Sequence, residues 1–185
     1  MSEEIFVIQA ITTGPDGCPY DEIVDIAVCM VDLSSNTYET VYHNVVYYDP
    51  KKLGKAKLDY ISGIGGLYAE EIYAGDPERK VADDIMEIIE EKNIAAFDDK
   101  QEFGRYMSFD PWNITLRTTV MPSVSAKMPI SLKCRTPADE PITIRKAYRR
   151  LLRNDPAAVG TGRRAIHLAQ MTSELMIHMS GKGKY

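Results

Sequence analysis

Apolar residues along the chain fall first into short continuous runs and later into helical spacing. Ile5-Phe6-Val7-Ile8 is a β-rich apolar run that stops at the turn-forming cluster Thr12-Thr13-Gly14-Pro15-Asp16-Gly17, as a buried strand entering a loop does. Ile23 to Val31 predicts a second strand. Tyr38 to Tyr48, rich in Val and Tyr, predicts a third, with turn chemistry at Ser34-Ser35-Asn36 between them. The stretch from Tyr48 to Gly66 mixes Lys, Gly and Pro with few periodic apolar positions and reads as a surface loop with at most a turn of helix. Asp76-Pro77-Glu78 has the chemistry of a helix start, and Val81, Ile85, Ile88 and Ile89 then share one helical face, which predicts a helix over 77–91. Ile94 to Phe97 predicts a short buried strand, and Asp99 to Met107 a helix that Asp110-Pro111-Trp112 ends. Pro122, Pro129 and Pro137 defeat any periodicity across 113–140, which reads as irregular with a short strand near Thr115 to Val120.

Two helices close the pattern. In Thr143 to Arg153 the cations Arg145, Lys146, Arg149, Arg150 and Arg153 span an arc of about 140° at helical spacing, with Ala147, Tyr148, Leu151 and Leu152 opposite. Gly162 to Met179 carries Ala165, Leu168, Ala169, Thr172, Leu175, Met176 and Met179 on a wide inner face, and Arg163, His167, Gln170, Glu174 and His178 outside. An antiparallel meander followed by alternating helices and strands predicts an α/β fold: a mixed sheet of three antiparallel strands, then alternating elements, flanked by helices. One domain over 1–180 is expected, with a frayed tail at 181–185.

Composition narrows the class. With 44% hydrophobic and 26% charged residues among 185, the chain has ordinary globular usage. No apolar run approaches the ~20 residues of a bilayer crossing, so no membrane association is expected. The start Met1-Ser2-Glu3-Glu4 carries acid where a secretory signal carries base. Cys18, Cys29 and Cys134 lack zinc spacing and suit a reducing cytoplasm. The net charge of −5 conceals opposed halves: residues 1–110 hold 9 Lys and Arg against 23 Asp and Glu, and residues 111–185 hold 13 against 4. The basic half either attracts phosphates or is neutralised by the acidic half packed on it, and a homodimer through the opposed halves is a third use of the same asymmetry.

Phe6-Val7-Ile8-Gln9-Ala10-Ile11-Thr12-Thr13-Gly14, followed by Asp21-Glu22-Ile23-Val24-Asp25-Ile26-Ala27, resembles the opening of the DEDD 3′-to-5′ exonucleases, the proofreading-subunit-like group of the ribonuclease-H-like superfamily. The helix start near Gly75-Asp76-Pro77, the short strand Ala95-Ala96-Phe97 and the terminal helix opening Arg163-Arg164-Ala165-Ile166 extend the resemblance over nearly the whole chain. It implies a ribonuclease-H-like fold and two-metal phosphodiester cleavage, in which four carboxylates hold a pair of divalent ions.

Position by position, the pattern is broken. The two acids of the family's first strand fall on Gln9 and Ile11, the second-motif Asp on Glu102, or on Asp99 if the helix start is shifted, the general base on Arg163 and the last Asp on Leu168. An amide offers one neutral oxygen and the aliphatic side chains offer none, so a pair of Mg or Mn ions lacks its anionic shell. The resemblance therefore implies an exonuclease fold without two-metal activity, acting by binding single-stranded nucleic acid or a protein partner. Arg145, Lys146, Arg149, Arg150 and Arg153 are the candidate nucleic-acid face, or a solvated face paired with the acidic half. The alternative is an active enzyme using Asp98, Asp99 and Glu102, with Asp16 or Asp25, around Mg or Mn. Asp98, Asp99 and Glu102 either bind one divalent ion or only complement a helix dipole. His167, Glu174 and His178 run along about 16 Å of helix, too far for one metal. His43 is expected on a strand surface, and Cys18 as an exposed thiol with nothing beside it to activate it.

Overall fold

The computed structural model describes residues 4–132, 141–153 and 162–185. Strands β1 (Glu4–Thr12), β2 (Ile23–Asp32) and β3 (Thr37–Val45) form the antiparallel meander. Strands β4 (Asn93–Ala95) and β5 (Thr119–Val120) add parallel to it, giving one sheet in the order β3-β2-β1-β4-β5. β1 and β2 are covered on both faces, which is why they read as apolar runs rather than alternations. Ile5, Val7 and Ile11 of β1 face one helical layer, while Phe6 and Ile8 face the other.

The first layer holds α1 (Pro50–Gly65), α2 (Ala69–Tyr73), α5 (Ile144–Leu152) and α6 (Ala165–Ser180). The second holds α3 (Glu78–Ile89) and a π-type helix, Lys100–Met107, in which the Ser108 amide reaches back five residues to the Phe103 carbonyl at 2.9 Å. Between β5 and α5 come a single helical turn, α4 (Val124–Lys127), and a short 3-10 turn at Ile130–Leu132.

One expectation is corrected. Residues 48–66 are not a surface loop: Asp49 caps the start of α1 by accepting the Lys51 amide at 3.0 Å, and the helix runs to Gly65. Gly54 kinks it at φ 78°, ψ 162°, a conformation that costs a side chain dearly, and only Ile61 and Gly65 of α1 are fully buried. The kink and the thin apolar stripe hide the helix from its periodicity. The Tyr185 hydroxyl donates to the Pro122 carbonyl at 3.0 Å, and its ring lies 5.6 Å from the Lys127 ammonium. The irregular stretch 113–140 contains β5 within the expected 115–120, while its residues 133–140, with Cys134 and Pro137, lie outside the described residues. Among the described residues no helix is long and apolar enough to cross a membrane.

Candidate functional site

Strand periodicity sets Gln9 and Ile11 on the same face of β1, toward α6. Ile11 fills space that a larger neighbour would contest: a Cβ built on Gly65 would lie 2.7 Å from its Cγ2, so the end of α1 seats on β1 because residue 65 has no side chain. Gln9 is fully buried, and neither amide atom has a hydrogen-bond partner among the described residues.

The start of α6 is fixed by a buried carboxylate. Asp25, fully buried on β2, accepts from the Ala165 amide at 2.9 Å and from Arg164 Nε at 2.8 Å, and His43 Nε2 lies 2.8 Å from its other oxygen. Arg164 also reaches Glu71 of α2 at 2.8 Å. Burial opposes the Asp25 charge, yet the bonds from His43, Arg164 and Ala165 outweigh it and hold the carboxyl below its ordinary range. The network ties β2, β3, α2 and α6 together. His43 is therefore no bare strand surface, and Asp25 is spent on architecture. An acid inside an otherwise apolar strand was the sequence signal for it, since such a charge requires a partner.

With α6 so placed, a cleft of about 440 Å³ opens between the end of β1, the end of α1 and the starts of α5 and α6. Ile11, Ile64, Ile144 and Leu168 form its apolar walls, and Arg145 and Arg163 also line it. The structure thus brings together Ile11, Arg163 and Leu168, three residues on which the resemblance places catalytic groups, and among the described residues no Asp or Glu lines the cleft. Sequence reasoning missed Ile64, Ile144 and the position of Arg145, which it assigned only to the basic helical face.

The acidic trio does not converge. Asp98 accepts the Lys100 and Gln101 amides at 3.1 and 3.3 Å, as a helix-start residue does. Asp99 bonds to the Ser123 hydroxyl. Burial pushes the Glu102 carboxyl up to about 8; the Ala10 backbone amide beside it works against this, and the Asp98 charge adds to it. Among the described residues no group of three His, Cys, Asp or Glu is arranged to hold a metal. On the outer stripe of α6, Glu174 accepts from Tyr38 at 2.9 Å and Tyr148 at 2.6 Å, so it serves packing rather than a metal. In the Thr-Thr-Gly loop the Thr13 hydroxyl is held by Asp21 and Glu22, and Lys57 pairs with both acids. Asp16 is exposed there, its amide bonded to Asp21 at 2.8 Å.

On α5, Thr143 caps the start by accepting the Lys146 amide at 3.2 Å, and Ala147 and Tyr148 are buried. Lys146, Arg149, Arg150 and Arg153 are exposed, and among the described residues none of them has an ion pair.

No family model and no curated protein matches the chain by sequence. Solved structures do. The nuclease domain of 3′hExo, a DEDDh family member bound to rAMP, matches with a TM-score of 0.66 and 12% identity over 98% of this chain and 94% of that one. The chain has the ribonuclease-H-like fold of the DEDD 3′-to-5′ exonucleases. A 3′-exonuclease recognising the histone mRNA stem-loop matches with a TM-score of 0.60 and 13% identity over 98% of this chain and 83% of that one. E. coli Exonuclease I in complex with a dT13 oligonucleotide matches with a TM-score of 0.69 and 11% identity, over 98% of this chain and 41% of that one.

The metal pair that this fold implies does not fit the residues present. Among the described residues the cleft is lined by aliphatic side chains, two threonines and two cations, and the face of β1 that bears Ile11 offers the neutral amide of Gln9. Hard divalent ions need carboxylate or comparable oxygen donors.

Proposed function

We propose that this chain is an exonuclease-like protein that has lost two-metal phosphodiester cleavage and binds single-stranded nucleic acid. The observation that carries the reading is the lining of the cleft, where Ile11 and Leu168 occupy positions that the resemblance gives to acids and, among the described residues, no carboxylate takes their place. The exposed cations of α5 support the binding half. Lys146, Arg149, Arg150 and Arg153 are held on one rigid helix whose N-terminal cap is made and whose opposite face is buried. Such a row contacts successive phosphates without reading bases. The solved neighbours include nucleases bound to a mononucleotide and to an oligonucleotide, which favours nucleic acid over a protein partner.

The test uses end-labelled single-stranded DNA and RNA. With Mg²⁺ or Mn²⁺ the strands are expected to stay intact while fluorescence anisotropy reports binding. Metal-dependent shortening that disappears in Glu102→Ala overturns the loss of cleavage, and absence of binding at low salt overturns the binding role.

A further inference from the structure

We draw no further inference here: the strongest candidate, the acid-lined pocket between residues 18–23, the start of α3 and Trp112, is a cluster of carboxylates already held by Lys57, Arg79 and the Trp112 indole, and nothing in the structure shows what would occupy it.

Discussion

Gln9 and Glu102 are polar side chains kept where water is scarce, and each has a measurable consequence. The Gln9 amide is fully buried with both polar atoms unpartnered among the described residues, an arrangement that forfeits about 1–3 kcal/mol per unsatisfied group. Gln9→Met keeps the length of the side chain and removes that cost, so it is expected to stabilise the fold by about 1–2 kcal/mol in urea unfolding. Destabilisation by that substitution shows that the amide has a partner after all. Glu102 makes a prediction in pH. Its folded value is raised to about 8 from an ordinary 4.5, so between these values the unfolded chain releases a proton that the folded one keeps, and stability falls as pH rises. Glu102→Gln removes the ionisable group. Its advantage over the parent is expected to be smallest near pH 4 and to grow up to about pH 8; an advantage that stays level with pH refutes the raised value. At this scale the sequence was partly legible. Ile11, Arg163 and Leu168 were found together because the resemblance places catalytic groups on all three, whereas the place of Arg145 depends on how α5 stands across the cleft from β1, more than a hundred residues earlier.

Elements were legible where burial leaves a pattern and obscure where it does not. β1 and β2 announce themselves because both of their faces are covered, and α3 because Val81, Ile85 and Ile89 are all buried on one side. α1 leaves almost no such trace, since Leu53 and Leu58 are only partly buried and Gly54 breaks the repeat. The join between elements is hidden for a different reason: Asp25 and Arg164 are 139 positions apart, and neither announces the other. That join gives the second-scale prediction. Arg164→Ala leaves the Asp25 carboxylate buried with fewer partners, an operation that costs about 3 kcal/mol or somewhat more. The sign of its pH dependence follows from the lowered Asp25 value. The contribution is fully present above the ordinary carboxylate value of 3.8 and is lost as pH falls through the folded one. Unfolding midpoints of the parent and Arg164→Ala are therefore expected to converge in acid; a gap that stays constant below pH 4 sinks the assignment.

Over the whole molecule the question is where the charge of residues 111–185 goes. The structure answers it through its ion pairs. Among the described residues, only Arg117 and Arg164 of that half pair with acids of residues 1–110, to Glu90 and to Asp25 and Glu71. The other ion pairs of the first half's acids are with its own cations, as Lys57 meets Asp21 and Glu22 and Lys80 meets Asp76 and Asp84. The exposed face of α5 is thus free to act on a polyanion, while Arg145 turns to the cleft. Each phosphate contacted on a single strand contributes roughly −0.7 to the slope of log affinity against log salt. Lys146, Arg149, Arg150 and Arg153, acting together, are expected to give a slope of roughly −3, and the pair Arg149→Ala and Arg150→Ala to reduce its magnitude by roughly 1.4. Because counterion release weakens as salt rises, the parent and the double variant are expected to differ most at low salt and to approach each other at high salt. Anisotropy titrations of a labelled oligonucleotide across a salt series measure both slopes. Equal slopes place the contact surface away from α5, and a slope near zero removes phosphate contact as the source of binding.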